Sequence, residues 1–218
     1  MSASPINYRD RSLAALALLA LTCTALTSCS PLATSLDLAP RGERVVAPGA
    51  PVPPGGGRRF IGRPYVMLGR LFVPAKDETY DRIGTGAWMA PEFHGRRTAN
   101  GEIHDGTALV AAHPTLPLPS YVMVRNLETG RSLVVRINDR GPFNDDRLID
   151  VSEQVAELLG FRRSGLARLR VSYLRPAPLD GNQSYELHYL AMQPFVRCAR
   201  PEPRTATECR ALPRPAWR

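Results

Sequence analysis

The spacing of apolar and polar residues in the middle of the chain predicts several short β-strands. The stretch ARLRVSY at residues 167–173 alternates apolar and polar side chains, which is typical of a strand with one buried face. The stretches YVMVRNL and SLVVRIND flank the turn at residues 128–130 and predict an antiparallel pair. The apolar run TALVAAH at residues 107–113 predicts a buried strand, and SYELHYLAM at residues 184–192 predicts a further strand.

One segment has the pattern of a helix. The sequence DVSE at residues 150–153 supplies an N-terminal cap and a capping-box glutamate, and Gly160 ends the helix. Its apolar stripe consists of Val151, Val155, Leu158 and Leu159. Several short strands with one short helix predict a mainly β protein with a single core, either a small barrel or a sandwich.

Residues 1–28 have the pattern of a lipoprotein signal peptide. A polar start precedes an apolar run at residues 13–26, which is too short to span a membrane. The run ends in Leu-Thr-Ser-Cys, which resembles a bacterial lipobox and predicts a lipid anchor on Cys29. Because Ser30 follows that cysteine, the resemblance implies an outer-membrane lipoprotein that faces the periplasm. An internal helix of the same composition is the alternative interpretation.

The composition divides the rest of the chain into four units. These are a disordered tether rich in proline and glycine at residues 29–60, a hairpin extension at 61–79, a catalytic barrel domain at 80–175 and a C-terminal extension at 176–218. Cys198 and Cys209 form an even pair in an oxidising compartment and predict one disulfide.

The formal net charge of +8 suggests an anionic partner. A secreted lipoprotein meets little nucleic acid, so anionic cell-wall polymer and lipid head groups are the expected neighbours. The sequence indicates no particular protein partner.

Residues suited to catalysis lie where predicted strands meet loops. Glu102 lies in a turn, with Asp105 close by, while His113 ends one predicted strand and Asp139 ends another. A partly desolvated carboxyl group can hold a proton near neutral pH and donate it to a leaving oxygen, as cleavage of a glycosidic bond requires. Structural roles remain open: Asp139 could cap a turn, His113 could be a hydrogen-bonded core histidine, and Glu102 could be a solvated loop charge.

Aromatic and imidazole side chains have open alternatives too. Trp88 and Phe93 could be core residues or a platform for a sugar. The spacing of His94, His104 and His113 matches no known set of metal ligands, so no metal site is predicted.

The strings FHGRRTANGEIHD at residues 93–105 and TALVAAHPTLPLPSYVMVRNLETGRSLVVRINDRGPFNDDRLIDVSEQVAELLGF at residues 107–161 carry a resemblance. They are similar to the double-psi β-barrel domain of the rare lipoprotein A (RlpA) family of septal lytic transglycosylases, and the similarity extends over residues 83–174. The resemblance implies a six-stranded double-psi β-barrel related to expansins and barwin. It also implies action on peptidoglycan glycan strands, preferably those without stem peptides, with no cofactor.

The resemblance also implies a set of site residues. The functional glutamate, histidine and aspartate of the family fall on Glu102, His113 and Asp139. Asp139 is expected to protonate the oxygen between N-acetylmuramic acid and N-acetylglucosamine, and attack by the muramoyl 6-hydroxyl then leaves a 1,6-anhydro end. Glu102 and His113 are expected to position the sugar and tune the acid. The residues expected to bind the substrate are Asp105, Trp88, Phe93, His94, Asn100 and Arg140.

Two features depart from the family. Its usual Ala-Ser-Trp-Tyr-Gly is replaced by Gly86-Ala87-Trp88-Met89-Ala90, which removes a hydroxyl and an aromatic ring beside the tryptophan. The chain also has no SPOR domain of the kind that some members use to find denuded glycan, so septal recruitment is not expected to carry over. Two other functions stay open: a non-catalytic, expansin-like module that binds peptidoglycan, and a polysaccharide hydrolase built on the same barrel.

Overall fold

The computed structural model describes residues 42–144 and 146–197. Its strands are β1 (Tyr65–Met67), β2 (Arg70–Phe72), β3 (Asp81–Trp88), β4 (Val110–Ala112), β5 (Ser120–Asn126), β6 (Ser132–Asp139), β7 (Arg147–Val151) and β8 (Leu166–Pro176). Its helices are α1 (Glu153–Leu159), α2 (Ser184–Ala191) and α3 (Pro194–Arg197), with a 3-10 turn at Pro91–Phe93.

Six strands close into a barrel in the order β3-β7-β4-β6-β5-β8. The pairs β3 with β7 and β4 with β6 are parallel, and the remaining neighbours are antiparallel. Closure leaves no unpaired sheet edge, which is the usual solution for a small all-β core. The predicted fold class, mainly β with a six-stranded double-psi β-barrel, is confirmed.

The alternating pattern of β8 decides which of its faces enters the core. Ala167, Leu169, Val171 and Tyr173 are buried, whereas Arg168 and Arg170 between them are exposed. Burial of an aliphatic side chain contributes about 1.5–3 kcal/mol, so this face fixes the register of the strand. The predicted antiparallel pair of β5 and β6 is also present.

Two predicted boundaries are wrong. The strand predicted at residues 107–113 is confined to β4, because the Asp105 carboxylate accepts hydrogen bonds from the backbone and hydroxyl of Thr107 and holds a turn there. The helix predicted from Asp150 begins at Glu153, with Ser152 as its cap. Asp150 instead lies in β7 and pairs with both β3 and β4, so strand pairing prevails over capping.

The predicted strand at residues 184–192 is also wrong, because this segment forms α2. Its Glu186 and Tyr189 are one helical turn apart and are both buried. Tyr189 packs with Tyr121 and Val134 of the barrel wall. The part of the chain that the structure describes therefore holds three α-helices, where the sequence predicted one.

The predicted hairpin is present as β1 and β2. Tyr65 and Phe72 stack with ring centroids 5.3 Å apart, and both rings meet the edge of Phe143. The Tyr65 hydroxyl also donates a hydrogen bond to the Pro114 carbonyl oxygen. These contacts attach the hairpin to two loops of the barrel.

Residues 42–60, hereafter the N-terminal segment, were expected to belong to a disordered tether. That prediction is wrong for this part of the tether, because the segment is hydrogen-bonded along the barrel. The amides of Val45 and Val46 donate to the Gly95 carbonyl oxygen, and Phe60 exchanges two backbone hydrogen bonds with Leu118. Backbone pairing needs no apolar pattern, so a segment rich in proline and glycine can be ordered without one.

The predicted signal peptide, the lipid-modified Cys29 and the cysteine pair Cys198 and Cys209 lie outside the described residues. Among the residues that are described, no helix has the length and apolar character needed to cross a membrane.

Gly57→Ala is expected to lower the free energy of unfolding by about 1–3 kcal/mol. A Cβ at this position would lie 2.7 Å from both Asn100 Nδ2 and Glu102 Cγ, and those side chains are held by buried hydrogen bonds. Chemical denaturation measures the loss. The matched control is Gly106→Ala, since its Cβ would meet nothing within 4 Å. Equal stabilities of the two variants would show that the N-terminal segment does not pack on the barrel as described.

Candidate active site

A groove of about 580 Å³ lies where three strands of the barrel end. Trp88, Ala112 and Asp139 are the last residues of β3, β4 and β6, and all three line the groove. Its charged lining residues are Glu43, Arg96, Arg97, Asp139, Arg140, Arg147 and Asp150. An open cavity of this size with converging charged groups is a typical ligand site.

Asp139 is the central carboxyl group of the groove. Its Oδ1 accepts hydrogen bonds from the backbone amides of Ala99 at 2.8 Å and Arg140 at 2.7 Å. Burial raises the pKa of Asp139 to about 6, and these amide hydrogen bonds and the nearby Arg140 charge only partly oppose the effect. Asp139 therefore caps its turn, which is the structural role that the sequence left open. Its carboxyl group is also a proton donor in the groove.

Arg140 lines the groove, but its guanidinium is engaged with backbone carbonyl oxygens. Nη1 donates to His113 and Leu116, and Nη2 donates to Ile61. Burial lowers the pKa of Arg140, while the proximity of Tyr65 and Asp139 raises it. Arg140 thus joins the loop after β4 to the base of the hairpin, and its charge acts on Asp139.

Glu102 is buried and does not line the groove. Its carboxylate accepts hydrogen bonds from Arg136 Nε and Nη2, from Asn138 Nδ2 and from Asn100 Nδ2. Burial acts to raise the pKa of Glu102, but these hydrogen bonds outweigh it and leave the pKa below the ordinary value. Glu102 is therefore a buried, ionised group held by protein hydrogen bonds, and not a solvated loop charge.

The network around Glu102 nevertheless reaches the carboxyl group of Asp139. Asn100, which is fully buried, is bonded to Glu102 and donates its own amide to the Asn138 carbonyl oxygen. These bonds hold the turn at residues 98–102, and that turn carries the Ala99 amide that binds Asp139. Glu102 and Asn100 are positioning residues.

His113 is a satisfied core histidine. Its Nδ1 accepts hydrogen bonds from the amides of Thr115 and Leu116, so the ring proton lies on Nε2, 2.8 Å from the Tyr80 hydroxyl. Burial lowers the pKa of His113 to about 3, so the ring is neutral. It does not line the groove, and its link to Asp139 is the backbone hydrogen bond from the His113 amide to the Asp139 carbonyl oxygen.

The expected convergence of Glu102, His113 and Asp139 side chains in one groove is therefore wrong. The structure brings the three residues together through backbone and side-chain hydrogen bonds, and places only Asp139 in the groove.

The remaining expected substrate contacts divide in two. Trp88 and Phe93 line the groove, and Trp88 also carries the Arg162 guanidinium 5.7 Å from its ring centroid. His94 and Asp105 do not line it. His94 Nε2 is bonded to the Ala50 carbonyl oxygen, and the Asp105 carboxylate holds the turn before β4.

Several groove residues were not predicted as site residues, and Asp150 and His104 are among them. Burial raises the pKa of Asp150 to about 6, and Arg147 Nη2 lies 3.4 Å from its Oδ2. His104 is buried beside the groove, and burial lowers its pKa to about 4. Asp150 Oδ1 and His104 Nδ1 are buried without a hydrogen-bond partner in the part of the chain that the structure describes. The strand pattern of β7 could have indicated Asp150 as a groove residue, but the same residue also fits the pattern of a helix cap.

No cluster of three or more histidine, cysteine, aspartate or glutamate residues that could hold a metal ion occurs among the described residues.

Asp139→Asn is expected to stabilise the folded protein at pH 7 and not at pH 4. The folded protein holds the Asp139 proton up to a pKa of about 6, against an ordinary value of 3.8, so it binds more protons than the unfolded chain between these values. Stability is therefore lost as the pH rises through this window. Asparagine keeps the Oδ1 acceptor without the charge. Urea titrations should show a gain on the order of 1 kcal/mol at pH 7. The same gain at both pH values would contradict the raised pKa.

Comparison with solved structures gives limited similarities. A papain inhibitor from Streptomyces matches with a TM-score of 0.38 and 19% identity, covering 46% of this chain and 100% of the inhibitor. An expansin from Clavibacter michiganensis matches with a TM-score of 0.33 and 16% identity, covering 45% of this chain and 53% of the expansin.

Comparison of sequences gives closer relatives. Residues 84–171 match a family described as lytic transglycolase. Proteins named endolytic peptidoglycan transglycosylase RlpA are 42% identical over 154 residues in Pseudomonas aeruginosa, covering 70% of this chain and 45% of the relative. The identity is 44% over 129 residues in Vibrio cholerae, covering 56% and 49%. The chain thus spans about half the length of the curated relatives that it matches. On these matches, the barrel domain of this chain belongs to the RlpA family.

Proposed function

We propose that this protein is a peptidoglycan lytic transglycosylase that cleaves the bond between N-acetylmuramic acid and N-acetylglucosamine in glycan strands. One observation carries the proposal: Asp139, with a pKa of about 6, lies in an open groove of a barrel that belongs to the RlpA family. The relatives named endolytic peptidoglycan transglycosylase support the choice of substrate.

The proposed reaction needs one carboxyl group and no water. Asp139 gives its proton to the bridging oxygen, which leaves with the bonding electron pair on N-acetylglucosamine. The muramoyl 6-hydroxyl oxygen attacks the anomeric carbon, and its proton passes to the Asp139 carboxylate. The product is a 1,6-anhydro-muramoyl end, and Asp139 recovers its proton for the next cycle.

Asp150 gives the groove a second carboxyl group. Positive charge builds at the anomeric carbon as the bridging bond breaks. A carboxylate in a partly desolvated groove stabilises such charge more strongly than it would in water. Burial raises the pKa of Asp150 to about 6, and Arg147, 3.4 Å away, partly opposes this effect, so Asp150 is mostly ionised at pH 7. We assign to this carboxylate the stabilisation of that charge.

The groove also supports a preference for strands without stem peptides. A muramoyl group that has lost its peptide carries a free lactyl carboxylate, and Arg96, Arg97 and Arg147 line the groove. Trp88 and Phe93 offer apolar faces to the sugar rings. Met89 takes the place of the family's usual tyrosine, and it is buried. The aromatic ring that the family carries next to the tryptophan in sequence is therefore missing from the groove at position 89.

The proposed place of action is the periplasmic face of the outer membrane. The lipobox-like sequence that ends at Cys29 supports acylation of that cysteine. An acyl chain anchors a protein with about 0.8 kcal/mol per buried methylene. Only residues 30–41 lie between this anchor and the start of the described segment.

The transglycosylase proposal is tested by mass spectrometry of naked glycan after digestion. Asp139→Asn is expected to remove all new 1,6-anhydro ends, because the acid is lost. Asp150→Asn should slow their formation by about 100-fold. The matched control is Asp105→Asn, since this carboxylate lies outside the groove, and it should retain activity.

Two results would contradict the proposal. Tight glycan binding by the wild-type protein with no new ends would identify an expansin-like binding module. New reducing ends, which Asp139→Asn would also abolish, would identify a hydrolase in which water replaces the 6-hydroxyl as nucleophile.

Cys29→Ser is expected to move the protein from the membrane fraction to the soluble periplasmic fraction and to remove the mass of the acyl chains. Cys23→Ser is the matched control, because Cys23 lies inside the predicted signal peptide and should leave both properties unchanged. Retention of the Cys29→Ser protein in the membrane fraction with unchanged mass would rule out this anchor.

A further inference from the structure

A second cavity, hereafter the hairpin cavity, lies between the β1–β2 hairpin and the barrel. It has a volume of about 250 Å³, and Leu71, Val73, Tyr80, Thr115 and Leu148 are among its lining residues. Pro142, Asn144 and Arg147 line both this cavity and the groove that contains Asp139. The two cavities are therefore neighbours, with Pro142, Asn144 and Arg147 between them.

The hairpin that walls this cavity is held rigidly against the barrel. Phe72 is buried between Tyr65 and Phe143, and the ring centroids of Phe72 and Phe143 are 5.8 Å apart. The amide of Ala75, just after the hairpin, donates a hydrogen bond to the Thr115 carbonyl oxygen. A ligand would enter a preformed site and would not have to order the hairpin first.

The chemistry of the cavity fits an N-acetylated sugar. Leu71 is 61% exposed and Val73 is 54% exposed, and both line the cavity together with polar residues. Such aliphatic groups match the methyl groups and the C–H faces of acetamido sugars, while Asn144 and Thr115 offer hydrogen-bonding groups. Arg147 lines both cavities and brings a positive charge to their junction, which favours a carboxylate there.

We propose that the hairpin cavity is an additional saccharide-binding site, which holds sugar units of the glycan strand next to those in the groove. This inference rests on the proposed function and extends it. A strand that is cut away from its ends must leave the groove on both sides of the cleaved bond, and the junction at Arg147 provides such an exit. Binding of remote sugar units then contributes to cleavage of long strands and not of short ones.

The test compares Leu71→Asn with Val66→Asn. Leu71 and Val66 are cross-strand partners in the hairpin, with 61% and 65% exposure, but only Leu71 lines the cavity. Values of kcat/KM are measured on long naked glycan and on a tetrasaccharide, with melting temperatures to verify folding. Leu71→Asn is expected to lower kcat/KM about tenfold on the long glycan and to leave the tetrasaccharide unaffected. Val66→Asn should match the wild-type protein on both substrates.

Equal losses on both substrates, or equal losses in both variants, would overturn the inference. The same holds if both variants weaken binding to vesicles of anionic phospholipid and leave cleavage unchanged, since the hairpin would then contact lipid. If the wild-type protein forms no new ends on either substrate, the proposed function fails by itself. Affinities for the same two glycans then test whether the hairpin cavity binds saccharide. A loss of long-glycan affinity in the Leu71→Asn variant alone would still support that role.

Discussion

The buried carboxylate of Glu102 is the interaction on which the site depends. It binds Arg136 and Asn138 of one strand and Asn100 of the neighbouring turn, so that a loop and a barrel wall share one charged centre. Arg136 also donates to the Pro178 carbonyl oxygen, which ties the chain after the barrel to the same centre. Loss of one partner from a buried ion pair leaves the other charge uncompensated, at a cost of about 3–5 kcal/mol. A change at Glu102 therefore disturbs the groove without touching it.

This centre has a chemical consequence at Asp139. The turn that Glu102 holds carries the Ala99 amide, and this amide stabilises the charged form of Asp139. Burial works in the opposite direction and is the larger effect. The pKa of about 6 thus reflects burial, which raises it, against the amides of Ala99 and Arg140 and the Arg140 charge, which lower it. Glu102, which does not line the groove, can in this way adjust the acidity of Asp139, which does.

The sequence allowed those features to be predicted that depend on local pattern. The alternation in β8, the pairing of β5 with β6 and the hairpin follow from periodicity and turn residues, and Asp139 followed from its place at a strand end. The roles of Glu102 and His113 could not be predicted, because they depend on which distant groups fill their hydrogen bonds. Arg136 is 34 residues from Glu102, and Tyr80 is 33 residues from His113.

The features that were missed share a physical cause, which is competition between local and distant partners. Asp150 has the local pattern of a helix cap, but pairing with β3 and β4 places it in a strand, where it lines the groove. The N-terminal segment has the composition of a tether, yet Gly42 and Glu43 from it line the groove as well. Leu71 of the hairpin likewise lies outside residues 84–171, the part that matches the family. In the proposed reaction the barrel supplies the acid, whereas segments outside it shape the walls that a glycan strand would meet. Differences in substrate choice among related proteins should accordingly follow these flanking segments more closely than the barrel itself.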